Sequence, residues 1–358
     1  MKEIKGIIRK RKGTDTTTKA ALATVVHVAG SSYRREGARM LITDDGHWTG
    51  GISGGCLEGD ALRKAQQAIF RQEARVVTYN TLDDDPFQIG ANLGCKGLIR
   101  VLLEPLDAAD EWNPVNLLEQ AVQANAPAVL FIVTEGEAAI GTRGIYLENG
   151  GYSGKKMPVP ASELEALARE VLTAGSSVSR SFPGGVEIFA ELLLPPTHLI
   201  VFGNNYDVLP LLQLAAVLDW QLDAVGKVSA FHPDVFRLAS VGTEMPAIPN
   251  PGRTAVVLMA HDFKTDKANL LKVLDTDVPF IGLLGPKKRK ERMLSELEAE
   301  GHSLSRQDLD RIHGPAGLDI GANTPDTIAL SILAEIQAFF GKRSGGHLRD
   351  REGPIYGA

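Results

Sequence analysis

Hydrophobic and polar positions follow two different patterns along the chain, and the change falls at Pro195-Pro196. Before the two prolines, aliphatic runs typical of strands are interrupted by stretches in which apolar residues recur every three or four positions, as in amphipathic helices. The predicted strands are 20–28, 38–43, 75–79, 98–103, 128–134 and 186–194, and the predicted helices are 57–71, 115–124 and 161–174. This mixture favours an N-terminal α+β domain whose strand order the pattern leaves open.

After the prolines, short apolar runs alternate regularly with amphipathic stretches. The predicted strands are 198–202, 222–225, 254–259 and 279–284, and the predicted helices are 208–218, 264–274, 287–300 and 325–340. Such alternation is typical of βαβ units, so we expect a Rossmann-like, doubly wound parallel-sheet domain and an α/β protein overall. The expected domains are 1–195 and 196–342, followed by a glycine-containing tail at 343–358.

Composition narrows the class of protein. The 358 residues carry a net charge of −6 with scattered basic residues, unlike the basic stripe of nucleic-acid-binding proteins. No apolar run reaches the ~20 residues of a membrane span, and the polar N-terminus is unlike a signal peptide, so we expect a cytoplasmic protein. Two cysteines are too few for a disulfide scaffold and are expected to be free thiols.

The most unusual segment is Gly50-Gly51-Ile52-Ser53-Gly54-Gly55-Cys56, which directly precedes a predicted helix. Glycine loops that open onto a helix N-terminus present N–H groups, so Ser53-Gly54-Gly55 is a candidate anion cradle. Cys56 lies at the helix start, where the thiolate is favoured. The alternative is a tight turn with a small buried cysteine. Glu58 fits an ordinary partner of the helix dipole better than a ligand.

Cys95 is also flanked by glycines, and it lies beside Lys96, a neighbour that favours the thiolate. Neither cysteine has the CxxC or CxxH spacing of a zinc site. One hypothesis is that Cys56 and Cys95 face each other across a pocket and hold a soft metal or a sulfur-containing ligand. The other is that Cys95 is structural.

The first strand after the prolines ends at Gly203, where a Rossmann phosphate loop would begin. Only the first glycine of the G-x-G-x-x-G pattern is present, since Asn205 and Val208 stand at the other two positions. The second strand ends at Gly226 rather than at the acidic residue that binds a ribose hydroxyl. We therefore expect NAD(P) to bind poorly, while Gly203, Asn204 and Asn205 are candidates to contact some other ligand.

Two further groups lie at the carboxyl edge of the predicted parallel sheet, where α/β domains bind ligands. His261 and Asp262 follow the strand 254–259, and the imidazole either contacts a ligand or satisfies backbone carbonyls. Lys287 and Arg289 lie at the start of a helix and are candidates to bind phosphate, with a solvated basic face as the alternative.

Several segments spread over nearly the whole chain carry one resemblance: Gly30-Ser31-Ser32-Tyr33-Arg34, the glycine loop with Cys56, Leu93-Gly94-Cys95, Ala260-His261-Asp262, and 281–285, 314–321 and 324–336. These segments resemble the XdhC/CoxI family. The resemblance implies an N-terminal XdhC/CoxI-type domain, a C-terminal Rossmann domain and a homodimer. It also implies that the protein binds a molybdopterin-type cofactor, presents it for sulfuration, with a cysteine desulfurase as a further partner, and passes it to a xanthine dehydrogenase-like molybdenum hydroxylase.

The leading hypothesis is therefore an accessory protein that binds molybdenum cofactor and is not itself an enzyme. In this hypothesis Ser53-Gly54-Gly55 binds the cofactor phosphate, Cys56 and Cys95 lie near the dithiolene or the metal, and Lys287 and Arg289 add phosphate contacts. The competing hypothesis is an NAD(P)-dependent oxidoreductase with Cys56 or His261 as its acid–base group. A third is an interaction scaffold that binds no ligand.

Overall fold

The computed structural model describes residues 1–15, 17–80, 97–136, 140–352 and 355, and the structural statements below refer to these residues. The chain forms two compact units. Unit 1 comprises Met1–Pro195, and unit 2 begins at Pro196.

Unit 1 is built on two antiparallel sheets. In chain order its elements are α1 (Lys2–Lys12), β1 (Ala20–Gly30), β2 (Arg39–Thr43), β3 (Trp48–Gly50), α2 (Glu58–Arg71), β4 (Arg75–Asn80), β5 (Gly97–Pro105), α3 (Pro114–Ala124), β6 (Ala128–Glu135), β7 (Arg143–Leu147), β8 (Gly151–Gly154), α4 (Ala161–Ala174), β9 (Val178–Phe182) and β10 (Val186–Leu193). Within the described residues, the first sheet has the order β3-β2-β1-β5-β4 and the second has the order β8-β7-β6-β10-β9.

The central strands of both sheets are buried on both faces, which explains their nearly continuous apolar runs. Alternate residues of β1 point to opposite sides, so Ala21 and Ala23 pack with α2 while Leu22 packs with β6, α1 and α3. In β6, Leu130 belongs to the same shared core, whereas Phe131 packs with α4. The helices α2 and α4 therefore cover the outer faces, and one core lies between the two sheets.

Buried ion pairs connect the two sheets. Arg39 of β2 donates from Nη1 to Oε1 of Glu191 on β10 at 2.8 Å and from Nη2 to the other carboxylate oxygen. Arg143 of β7 donates a single hydrogen bond from Nη2 to Oε1 of Glu104 on β5, also across the sheets. Arg39 is only 2% exposed. Because an unpaired charge at this depth is costly, these pairs fix which strands face each other.

Unit 2 is built on one parallel sheet. In chain order its elements are β11 (His198–Phe202), α5 (Val208–Val217), β12 (Gln221–Val225), α6 (Val235–Leu238), β13 (Ser240–Gly242), β14 (Thr254–Leu258), α7 (Phe263–Leu274), β15 (Phe280–Leu283), α8 (Lys287–Ala299), α9 (Arg306–Asp310), β16 (Ile312–His313) and α10 (Pro325–Phe340). The strand order β13-β12-β11-β14-β15-β16 has the first strand of the unit beside the fourth, as in Rossmann domains. The predicted Rossmann-like fold is confirmed.

The helices of unit 2 pack on both faces of this sheet. The residues of α5 and α10 form the core on one face, and those of α7 and α8 form the core on the other. Because α5 and α7 leave the adjacent strands β11 and β14 towards opposite faces, a crevice opens between the ends of these two strands. This switch point is where open α/β sheets bind ligands.

The pattern of apolar residues predicted the long elements well. Every predicted strand and helix is present, with ends that differ by no more than two residues. The pattern missed α1, the short helices α6 and α9, and the short strands β3, β7, β8, β9, β13 and β16, because such elements are too short or too polar for a period to be visible. Among the described residues, no helix combines the length and apolar character needed to cross a bilayer.

Candidate functional site

The glycine loop of unit 1 encloses a carboxylate of its own chain. The backbone N–H groups of Ile52, Ser53 and Gly54 donate to Oε1 of Glu58 at 3.0, 2.8 and 3.2 Å. Those of Gly55 and Leu57 donate to Oε2 at 2.9 and 3.2 Å, and the hydroxyl of Ser53 donates to the same oxygen. The loop is therefore a nest of donors that is already filled, and we call the loop 50–57 with Glu58 the carboxylate nest.

This geometry corrects the expectation of an anion cradle. Ser53-Gly54-Gly55 does form one, but it holds Glu58 rather than presenting its N–H groups to a ligand phosphate. Burial would raise the pKa of Glu58, yet the donors of Ser53 and the loop outweigh it and lower the pKa to about 2. An internal carboxylate that stays ionised at neutral pH fixes the loop in place.

The carboxylate nest presents Cys56 to solvent. Cys56 is exposed, so the alternative of a buried structural cysteine is wrong. The thiol lies two residues before α2, which begins at Glu58. Two residues before Cys56, Gly54 has φ +88, and a Cβ there would come within 2.6 Å of the ring of Tyr33. Cys95 lies outside the described residues, so a pocket shared by the two thiols stays a prediction.

Replacing Glu58 with glutamine should destabilise unit 1 by about 2–3 kcal/mol at pH 7, because an amide replaces the charged acceptor of several hydrogen bonds. Since the folded-state pKa is lowered, the contribution of Glu58 is present above its ordinary value of 4.5 and is lost as the pH falls towards 2. Denaturant unfolding at pH 7 and pH 3 checks this, with Glu73→Gln as the exposed control on the same segment. An equal difference between wild type and Glu58→Gln at both pH values would contradict the assignment.

In unit 2, the loop after β11 lies directly against the loop after β14. Gly203 has φ +151, and a Cβ there would meet the carbonyl oxygen of Met259 at 2.5 Å. Glycine is needed here for close packing of two backbones. Asn204 turns towards β12, donating to the Lys227 carbonyl at 3.4 Å, whereas Asn205 donates to the Ala260 carbonyl at 3.2 Å. Both predicted amides thus bind the protein itself.

His261 occupies an unusual backbone conformation at the switch point. Its φ is 58°, in the left-handed region that few residues other than glycine adopt. Its Nε2 lies 2.6 Å from Oδ2 of Asp207, which comes just before α5. The predicted neighbour Asp262 has another role, since it caps α7 by accepting from the N–H of Thr265 at 2.7 Å.

The two basic residues predicted to bind phosphate, Lys287 and Arg289, have different surroundings in the structure. Arg289 donates to Oδ2 of the buried Asp266 at 2.8 Å, and Asp266 also accepts from the N–H of Ala260 at 3.0 Å. Burial raises the pKa of Asp266, although Arg289 opposes this. Lys287 is 78% exposed, and its ammonium lies 3.9 Å from Glu291 on the next turn. Of the two predicted phosphate contacts, Arg289 therefore binds Asp266 and lines a pocket, whereas Lys287 faces solvent.

A pocket of about 390 Å³ brings these groups together at the switch point. Its polar members include Asp207, His261 and Arg289, and Gly285-Pro286 leads from it into α8. Its apolar members include Leu211, Met259 and Ile332. The size is at the lower end of the range found for small-molecule sites.

Sequence reasoning missed three carboxylates that organise these sites. The sequence pattern makes Glu58 an ordinary partner of the helix dipole and indicates no role for Asp207 or Asp266. The sequence does contain a sign of the role of Glu58, because this residue follows a glycine-rich loop closely enough for its side chain to fold back onto the loop N–H groups. Asp207 and Asp266 act through partners 54 and 23 residues away, so no local spacing indicates them.

Comparison with known proteins agrees with this architecture. Residues 14–80 match the model described as "XdhC and CoxI family", and residues 199–336 match the one described as "XdhC Rossmann domain". The chain is 27% identical over 329 residues to a probable xanthine dehydrogenase subunit of Bacillus subtilis (strain 168), covering 88% of this chain and 92% of that protein. It is 24% identical over 320 residues to the "Molybdenum cofactor insertion chaperone PaoD" of Escherichia coli (strain K12), covering 88% and 82%.

A similar fold is also known from a crystal structure. The structure of a xanthine dehydrogenase from Bacillus halodurans superimposes with a TM-score of 0.74 at 27% sequence identity, and the match covers 96% of this chain and 97% of that one. Matches to both family models, and relatives aligned over most of their length, agree with the resemblance carried by the glycine–cysteine loop. The chain belongs to the XdhC/CoxI family.

Proposed function

We propose that this protein is an accessory factor that binds molybdenum cofactor and delivers it to a xanthine dehydrogenase-like molybdenum hydroxylase. The observation that carries the proposal is the exposed thiol of Cys56 on a loop held rigid by the carboxylate nest. It is supported by a relative that is named as a molybdenum cofactor insertion chaperone.

The donor chemistry of the two units suits such a cofactor. Thiolates bind soft metals and sulfur-containing groups, and a loop fixed by the many hydrogen bonds to Glu58 holds a thiol without losing much entropy on binding. The cofactor would supply a metal-binding dithiolene and a phosphate. Cys56 is the candidate to contact the first, with Cys95 as a second thiol. Arg289 in unit 2 is a candidate to bind a phosphate in the pocket of that unit.

Ser53-Gly54-Gly55 has a different part in this proposal than the sequence suggested. Its amides and hydroxyl hold Glu58, so these residues position Cys56 instead of binding phosphate themselves. Gly54, two residues before Cys56, also packs against the ring of Tyr33. The proposal extends to a homodimer in the cytoplasm that works with a cysteine desulfurase.

Delivery is tested by the partner enzyme. A molybdenum hydroxylase purified from a host that lacks this chain should contain little molybdenum, and expression of the wild-type chain should restore the metal. The Cys56→Ala variant should fail to restore it although it is made in equal amount. Full metal loading of the hydroxylase with Cys56→Ala, or without the chain, would refute the proposal.

The alternative of an NAD-dependent oxidoreductase is favoured only by the Asp207–His261 pair. Against it, Asn204 packs on Gly226, since a Cβ on that glycine would lie 3.3 Å from the Cβ of Asn204. The place of the usual ribose-binding acid is thereby occupied. Isothermal titration calorimetry with millimolar NAD should show no saturable heat. Saturable binding in the micromolar range would revive the oxidoreductase.

A further inference from the structure

One side of the pocket of unit 2 is formed by an acid–base pair, Asp207 and His261. The carboxylate of Asp207 is 13% exposed and binds His261 through Oδ2, while its Oδ1 is buried without a hydrogen-bond partner among the described residues. Because one of its oxygens is buried without a hydrogen bond within the described residues, this carboxylate favours a positively charged partner. The imidazole is 49% exposed and therefore reachable from the pocket. With Nε2 occupied by Asp207, Nδ1 is the nitrogen left to serve a ligand.

The backbone of His261 supports a role in binding. A left-handed φ in a residue other than glycine persists where the surrounding structure imposes it, and such positions cluster at ligand sites. Here the preceding residue is held by Asp266, which accepts from the N–H of Ala260. The conformation that aims the imidazole at Asp207 is thus set by a buried carboxylate.

The same carboxylate positions the opposite charge. Asp266 is 2% exposed and accepts from Nη2 of Arg289 at 2.8 Å. The guanidinium lies 5.5 Å from the ring centre of Phe263. Since a guanidinium has five N–H donors in a rigid fork, this single bond leaves others for a ligand. Asp266 therefore binds Arg289 and, through the N–H of Ala260, holds the backbone beside His261.

The apolar residues and the volume of the pocket indicate the polarity and size of the rest of the ligand. Leu211, Met259 and Ile332 give the pocket an apolar side, and its volume of about 390 Å³ suits a molecule of mononucleotide size. The loop Gly285-Pro286 places the beginning of α8 at the rim, where the positive end of the helix dipole adds to Arg289.

We propose that this pocket binds a phosphomonoester carried on a planar heterocycle, with the phosphate held by Arg289 and the imidazolium of His261. The inference deepens the proposed function, on which it rests for the identity of the natural ligand. The charged groups near the imidazole are Asp207, Asp262 and Asp266 and, with the opposite sign, Arg289. With Nε2 held by Asp207, the imidazolium donates its Nδ1–H to the phosphate.

The probe is adenosine 5′-monophosphate, titrated calorimetrically into the full chain. Adenosine, which lacks the phosphate, and NAD, whose pyrophosphate has no terminal phosphomonoester, are the ligand controls. His261→Asn keeps a residue that tolerates the left-handed φ and removes the imidazole. Arg289→Lys keeps the charge beside Asp266 and removes the fork. Lys288→Gln is the matched control, an exposed basic residue on the same turn that does not line the pocket.

The nucleotide should bind saturably, and each of His261→Asn and Arg289→Lys should weaken it about tenfold or more, whereas Lys288→Gln should not. Equal binding of adenosine, or no saturable binding of the monophosphate, would overturn the inference. Molybdenum retention by the chain is measured separately, so that failure would leave the proposed function standing.

Discussion

Replacing Arg39 with methionine is expected to lower the free energy of unfolding of unit 1 by about 3–5 kcal/mol. Glu191 would remain 4% exposed between the two sheets, with its charge uncompensated. The loss is large because the pair is buried, unlike surface pairs that contribute about 0–1 kcal/mol. Denaturant unfolding followed by circular dichroism measures the difference.

The matched control is Arg63→Gln, which removes an arginine from the exposed face of α2 and from its surface pair with Asp60. Its effect should stay below about 1 kcal/mol. The double replacement of Arg39 by Met and Glu191 by Leu should recover most of the lost stability, since it removes both buried charges. Equal effects of Arg39→Met and Arg63→Gln would show that the inter-sheet pair does not hold unit 1 together.

Replacing Cys56 with alanine is expected to weaken the binding of molybdenum cofactor by about 100-fold or more. Mutating residues that only support the ligands of a metal site typically lowers metal affinity about 10–100-fold. Loss of a thiolate that itself binds the metal should lower the affinity more. Anaerobic equilibrium binding with cofactor released from a molybdenum enzyme measures the affinity. The fold should be intact, because Cys56 is exposed and the carboxylate nest does not use its side chain.

Cys56→Ser distinguishes a thiol requirement from a loss of volume. The hydroxyl is nearly isosteric and remains protonated, so this variant should bind as poorly as Cys56→Ala. Tight binding by either variant would show that the Cys56 thiol is not a ligand and would move the cofactor site elsewhere on the chain.

The long elements of the fold were predictable because burial leaves a period in the sequence. In β11, β14 and β15, continuous apolar runs followed by amphipathic helices indicated a parallel sheet, and the Rossmann order followed. The strand order of unit 1 was not predictable. Its strands pair over long separations, as in Ala23 with Leu103, and antiparallel pairing leaves no rule that selects the neighbour.

The candidate site was predictable in position but not in chemistry. The glycine loop, Cys56, His261 and Arg289 were all visible as unusual residues at the ends of predicted elements. What the N–H groups of the loop bind was not visible, because a free anion site and a loop that encloses Glu58 have the same local sequence. Only three-dimensional packing decides whether a ligand or a side chain fills such a nest.

The most direct test of the central claim is the molybdenum and pterin content of the protein after purification from a molybdenum-replete host. The wild-type chain should retain molybdenum together with the characteristic absorption of the pterin, and Cys56→Ala should retain neither above the level of an unrelated protein prepared in parallel. His261→Asn should still carry the metal if the thiol of unit 1 dominates binding. A wild-type preparation without molybdenum, or a Cys56→Ala preparation with the wild-type content, would contradict the account.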